Sequence, residues 1–442
     1  MMLLSSKKFA IFAVAGLIIP LASILAYNIY IDPFQIIHKD IEQPAIILGG
    51  RGAERYQHAG VINQYDIESV IIGHSHAANF LPSKLRKELH WEKVYSLTMD
   101  GSSLYEQAVV ARSVLLEHEI KNVLWGLYIY NFIRPEKLKN LKIPIQEYLF
   151  DGNRLNDLRF FLTLDLQKYY KQKQEQKNQI LKSDGFSQEN QLDRATSWYE
   201  KNICSFNRPG FVADQILRGA PPYQNLATGK KLNHLNREEL TEQVPLSRKW
   251  FVHYNENLEN NLLPIFKEHP DTIFNIVVTA YPTLRMQKMK MSNPKGYKIY
   301  LQILRQFVLD TEGFTNVRIH GFDREKFTND LRLYKDSAHY HLAVNNYIIE
   351  QIGSGTNVLT SANIDQYLED LDEKVTSFRL NDLHNPYIGE NTFSTSGFLS
   401  IEAAELLIQG RRSFSDREIT DLSFKKIPLP KCAEDIKRFK ET

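Results

Sequence analysis

A chain of 442 residues is too long for a single small core, and its length favours two to three domains. Hydrophobic residues make up 43% of it, ample for globular folding, while a net charge of +2 with Lys and Arg spread along the chain gives no footing for nucleic acid as the main partner. The two cysteines, Cys204 and Cys432, lack Cys-x-x-Cys spacing, which excludes a structural zinc site of the thiolate kind.

The amino end bears on compartment. Residues 9–31 carry no charged side chain and are dominated by Leu, Ile, Ala, Phe and Val. At about 1.5 Å per residue they are long enough to cross a hydrocarbon core of about 30 Å. Lys7 and Lys8 precede this run, and Tyr27 and Tyr30 fall where an interfacial belt belongs. Positive charge before the span is expected to leave residues 1–8 as a cytoplasmic tail and everything after Asp32 outside the cell's inner membrane. A cleaved signal peptide is the rival, but Ser23-Ile-Leu-Ala26 only loosely fits its cleavage site. Pro20 inside the span is tolerable in a kinked helix. Outside the cytoplasm Cys204 and Cys432 can pair as a disulfide or remain two buried thiols.

Residues 32–64, with Pro33, Pro44, Gly49, Gly50 and Gly52, read as an irregular lead-in. The pattern then alternates. Val70 to Ile72 form a short buried strand, residues 82–89 a helix, 93–97 a strand, 105–118 a helix and 122–128 another strand. Residues 134–250 show few strand signals and several polar helical runs, so they read as a helical insertion laid over the sheet. The lysine- and glutamine-rich run 166–181 within it is a solvated helix face. Pro209-Gly210, Gly219-Ala-Pro-Pro222 and Gly229 mark loops there. The alternation resumes with a helix over 251–269, a strand over 272–279, a helix over 296–311, a strand over 316–320 and a helix over 342–352. These repeats predict a doubly wound α/β domain with a parallel sheet over 65–353. Residues 354–442 form a carboxyl-terminal extension, with helix-like stretches at 364–378 and 400–409 and a basic, proline-punctuated strap at 425–431.

Chemistry is concentrated at two places. Gly73 ends the first strand with a sharp turn, which puts Ser75 at the strand's carboxyl end, where open α/β sheets bind ligands. A serine there can attack an acyl carbon while the amides of a following helix stabilise the oxyanion; it can also simply cap that helix. Far downstream, Asp336-Ser-Ala-His339 precedes a helix. A carboxylate three residues before a His can turn back onto the imidazole and fix the tautomer that accepts a proton. If the fold joins His339 to Ser75, the three are nucleophile, base and orienter; otherwise Asp336 or Ser337 caps the helix.

Gly73-His-Ser75, Asn79-Phe80, Pro82, Gly101 and Asp336-x-x-His339 together resemble the SGNH (GDSL-like) hydrolase superfamily, most closely its bacterial membrane-anchored members of uncharacterised role. Gly101-Ser-Ser-Leu-Tyr-Glu-Gln107, Trp125-Gly-Leu, the run from Tyr148 to Leu158, Asn261-Leu-Leu-Pro264 and His269-Pro-Asp271 also look like that subgroup. The resemblance implies a flavodoxin-like three-layer sandwich and metal-free ester hydrolysis or acyl transfer. It assigns Ser75 as nucleophile, His339 as base and Asp336 as orienter, with the Gly101 and Ser75 amides lining the oxyanion hole. The superfamily's third block, Gly-x-Asn-Asp, is absent after Trp125-Gly126: Tyr128 stands where the Asn would fall, and Asn131 is the available substitute. A missing donor costs on the order of 3 kcal/mol of transition-state stabilisation. His74 and His76, flanking the serine, are substrate contacts if the turn leaves them facing the crevice, and otherwise polar residues at a strand end.

Three functions follow as expectations. The first is a membrane-anchored, periplasmic serine esterase or O-acyltransferase acting on acyl esters of an envelope glycan or glycolipid, with no cofactor, no metal and a membrane-bound acyl donor as a partner. The second is a scaffold of a surface-polymer machine that kept the fold and lost efficient chemistry. The third, a lipase on membrane lipids, lacks a lid-like apolar segment.

Overall fold

Strands β1 (Ser69–Gly73), β2 (Val94–Thr98), β3 (Asn122–Leu127), β4 (Ile273–Val278) and β5 (Val317–His320) are parallel neighbours in a six-stranded sheet of order β2-β1-β3-β4-β5-β6, closed at one edge by the antiparallel β6 (Val358–Leu359). The computed structural model describes residues 6–39, 52–135, 144–163, 165–181, 193, 205–206, 209–217, 248–378, 404–405 and 408–409. Val70 and Ile72 enter one hydrophobic core and Ile71 the other; Val123 and Trp125 divide from Leu124 in the same way. Both faces of the sheet are therefore covered, which is why its strands are continuous apolar runs rather than alternating ones.

The helices α1 (Ser6–Ile31), α2 (Glu54–Gln64), α3 (Pro82–Leu89), α4 (Leu104–Glu117) and α5 (Leu166–Leu181) come before or within the first half of the sheet's chain path, and helices 209–217, 248–261, 263–268, 283–292, 294–311, 342–353 and 364–377 follow. Within the insertion the regular elements among the described residues are helices and 3₁₀ turns, and the exposed Gln167, Lys168, Lys171 and Glu175 of α5 form the expected solvated face. The stretch from Ser400 to Gln409 falls largely outside the described residues, and the strap at 425–431, Cys204 and Cys432 fall wholly outside them.

Four expectations are corrected. The lead-in is not irregular throughout, because residues 54–64 form α2. Gly60 within α2 permits close approach, since a Cβ there would lie 1.8 Å from the Phe34 carbonyl oxygen. The helix expected over 251–269 is two helices, parted at Leu262, because Pro264 has no N–H to continue the ladder. Pro209-Gly210 opens a helix instead of a loop, proline being pre-organised for a first helical position. A further helix, 283–292, follows Pro282 where no element was expected.

α1 keeps Pro20 inside it, and its residues 12–31, of mean hydropathy 2.0, are long and apolar enough to cross a membrane. Phe12, Leu17, Ile18 and Ile19 are exposed, unlike the side chains of a soluble core helix. α2 is clamped to the amino end of α4 by a buried ion pair, Arg55 Nε to Glu106 Oε1 at 2.6 Å. Glu106 also closes a capping box with Ser103, which fixes where α4 begins.

β1 and β3 meet at glycines. Gly73 lies opposite Gly126, and a Cβ on Gly126 would fall 2.5 Å from the Cβ of Ala77. Gly126→Ala should therefore overpack the turn that follows β1 and cost about 1–3 kcal/mol. Denaturant unfolding of the detergent-solubilised chain measures this, and an unchanged midpoint would contradict it.

Candidate active site

The order of the sheet reverses between β1 and β3, and the crevice at such a reversal opens at the strands' carboxyl ends. Gly73, with φ +144°, turns the chain into that crevice, and its carbonyl oxygen accepts hydrogen bonds from Met99 N at 2.9 Å and Ser102 Oγ at 3.4 Å. The helix expected over 82–89 is present, but Ser75 neither caps it nor lies at its first amides. Residues 75–79 form turns, with Ala77 N donating to the His74 carbonyl and Ala78 N to that of Ser75, and α3 begins only at Pro82. Pro82 holds Leu81 extended, so the helix cannot reach back to the serine.

His339 arrives from 264 residues away, its Nε2 2.8 Å from Ser75 Oγ. It stands on a tight loop closed by Lys335 N donating to the His339 carbonyl at 3.0 Å and His341 N to that of Leu333 at 2.7 Å. Arg285 Nη1 donates to the Ser337 carbonyl at 2.9 Å and braces the loop from outside. The helix behind is capped by His341, whose ring accepts from Ala343 N, so Asp336 and Ser337 are not its caps. Asp336 instead places Oδ2 2.8 Å and Oδ1 2.9 Å from His339 Nδ1, and its Oδ1 accepts the amides of Ala338 and His339. An ionised carboxylate only accepts, so Nδ1 carries the proton and Nε2 offers its lone pair to the Ser75 hydroxyl. Burial works against the charge on Asp336, but the His339 imidazole and the two amides more than offset it and hold the carboxyl at about 2.

His74 and His76 both join this cluster. The His76 ring stacks on His339, with centroids 4.4 Å apart and planes within 11°. His76 N donates to His74 Nδ1 at 3.3 Å, so His74 Nδ1 is an acceptor; the 2.7 Å contact between the two Nδ1 atoms then requires the proton to be on His76. His76 Nε2 is left as an acceptor and His74 Nε2 as a donor, and each is buried without a hydrogen-bond partner among the described residues. Burial, reinforced by the charges of His339 and Arg134, pushes His74 down to about 3. Burial and the charges of His74, His339, Arg285 and Lys335 push His76 well below its usual value, so both rings are neutral around neutral pH.

Gly101 is exposed, with φ +64°, on the loop that joins β2 to α4. Asn131 is buried and its side-chain amide donates to the Ser102 carbonyl at 3.3 Å, so its recorded contact braces the Gly101 loop. Tyr128 lies against His74 edge to face at 5.6 Å, and Tyr281 against His76 at 6.2 Å. Further supports escaped the sequence analysis. Trp125 Nε1 donates to Gln107 Oε1 at 2.7 Å, and Gln107 Nε2 to Ser102 Oγ at 3.0 Å, tying β3 to the same loop. Ser103-Leu-Tyr-Glu106 is a capping-box pattern that could have been read from sequence; the partners Arg55, Gln107 and Arg285 carry no local signal. Among the described residues, no group of three or more His, Cys, Asp or Glu side chains has an arrangement that could hold a metal ion. No family model and no curated protein matches the chain.

The arrangement can deprotonate a serine hydroxyl and keep the resulting imidazolium paired. Its acid dependence has a definite sign. Asp336 is held below the usual carboxyl value of about 4, so its contribution to stability is complete above that value and lost as pH falls toward about 2. Asp336→Asn should be less stable near neutral pH and lose less of its thermal midpoint between pH about 4 and about 2. Parallel curves for the two proteins would contradict this.

Proposed function

We propose that the chain is a membrane-anchored serine esterase or O-acyltransferase of the SGNH type, acting outside the cytoplasm on acyl esters of an envelope glycan or glycolipid. The observation that carries the reading is the continuous hydrogen-bonded series from Ser75 Oγ through His339 to Asp336. Strand order 2-1-3-4-5 with cores on both faces supports a flavodoxin-like three-layer sandwich, in which 134–250 is an insertion, while β6 and the helix 364–377 of the expected extension complete the sheet and its core. Lys7 and Lys8 before the apolar helix support a cytoplasmic amino end and a periplasmic body.

In this reading Ser75 Oγ bonds to the acyl carbon as its proton passes to His339 Nε2. Asp336 stays ionised and holds the imidazolium. The oxyanion takes hydrogen bonds from the amides of Ser75 and Gly101. As the tetrahedral centre collapses, the ester C–O bond breaks and His339 returns the proton to the departing alcohol. Water, or a glycan hydroxyl, then gives its proton to His339 Nε2 and attacks the acyl-serine; the bond from the acyl carbon to Ser75 Oγ breaks, Oγ takes the proton back from His339, and the free acid or the new glycan ester leaves. The choice between the two acceptors decides esterase or transferase.

A scaffold role is the second reading. It is favoured by Tyr128 at the place of a donor Asn and by Asn131 engaging Ser102, a loss worth about 3 kcal/mol if nothing replaces it. A fluorophosphonate probe separates the two. Wild type should be labelled, Ser75→Ala should not, and Asp336→Asn should label more slowly by on the order of 10⁴-fold. An unlabelled wild type would favour the scaffold.

A further inference from the structure

The folded body reaches the level at which α1 leaves lipid. A hydrocarbon core of about 30 Å takes about 20 helical residues, so a span counted from Phe9, the first residue after Lys7-Lys8, ends at about Asn28. Asn28 is not free at that level: it is buried, and its side-chain amide donates to the carbonyls of Phe161 at 2.7 Å and Thr163 at 2.8 Å. Leu25 and Ile29 also pack against the body's core. The 3₁₀ turn Asn156–Leu162 is therefore held at the height of the lipid boundary.

Exposed apolar side chains gather at the same place. Outside α1, the large ones left exposed among the described residues are Ile37, Leu116, Leu155, Leu158, Leu162 and Val252. Leu155 is 80% exposed, Leu162 49% and Leu158 36%, all on or at the edge of this turn. Leu116 lies beside it: a Cβ on Gly152 would be 3.7 Å from its Cδ2, and the adjacent Glu117 pairs with Arg154 at 3.3 Å. Ile37 follows closely on the end of α1. Exposed leucine surface is unfavourable in water, so a cluster left open there is costly, whereas the boundary between headgroups and acyl chains would solvate it. Arg154 and Arg159 are exposed among these leucines and suit lipid phosphates.

We propose that Leu155, Leu158 and Leu162 form a lipid-contacting pad, a second attachment that seats the body on the phospholipid surface instead of leaving it to swing from α1. The proposal rests on residues 9–31 being a membrane span.

The test places a photoreactive benzoylphenylalanine at position 155, 158 or 162 of the full chain, reconstituted in vesicles of phosphatidylethanolamine and phosphatidylglycerol. Position 17 in the span and position 362, on the exposed turn after β6, serve as references. Phospholipid adducts are expected at 155, 158, 162 and 17, and none at 362. Adducts at 17 without adducts at the three pad positions would overturn the pad and leave the anchor. Their absence at 17 as well would overturn both. Crosslinks from the pad to a second copy of the chain would also overturn it. None of these outcomes depends on whether Ser75 is a nucleophile.

Discussion

A neutral imidazole has one proton and two nitrogens, and at His339 the Asp336 carboxylate decides which nitrogen holds it. With both carboxylate oxygens within 2.9 Å of Nδ1, the proton is fixed there, and Nε2 is left facing Ser75 Oγ at 2.8 Å. Every chemical statement about this chain follows from that assignment. With the other tautomer Nε2 would donate toward the hydroxyl, and Ser75 would be an ordinary polar residue at a strand end.

The surrounding structure keeps this geometry in place from three sides. Gly73 and Gly126, without side chains, leave room for Ala77 in the turn after Gly73 to pack against both strands. The loop carrying Gly101 is held by Gly73, Gln107, Asn131 and, through the capped start of α4, the buried Arg55–Glu106 pair. The His339 loop is held by its own backbone bonds, by Arg285, and by the ring of His76 lying flat on the imidazole. His74 and His76 stay neutral through burial, so two rings beside His339 add no standing positive charge to oppose its protonation.

Much of this was legible in the sequence, for physical reasons. Short β-branched runs between amphipathic segments gave the five parallel strands, because strands buried on both faces need apolar residues at consecutive positions. Ser75, Asp336 and His339 stood out because each lies in a short local pattern tied to a turn. Contacts made by the fold alone did not stand out. Nothing in the sequence marks Gly60 as a point of close approach to Phe34, and Gln107 gives no hint that it bridges Trp125 and Ser102. The helix over 82–89 was legible, but not the turns at 75–79 that keep it from Ser75: Pro82, seven residues beyond the serine, restricts the residue before it. The stacking of His76 on His339 joins segments more than 260 residues apart, and no periodicity reports such a meeting.

A hydrogen-bonded serine beside a neutral imidazole should be acylated before it is hydrolysed, which stopped-flow mixing can detect. Full-length chain mixed with p-nitrophenyl acetate should release a stoichiometric burst of p-nitrophenolate, and peptide mapping of the quenched protein should place the acetyl group on Ser75. Release without a burst, or acetylation elsewhere with Ser75 unmodified, would contradict the assignment of Ser75 as nucleophile.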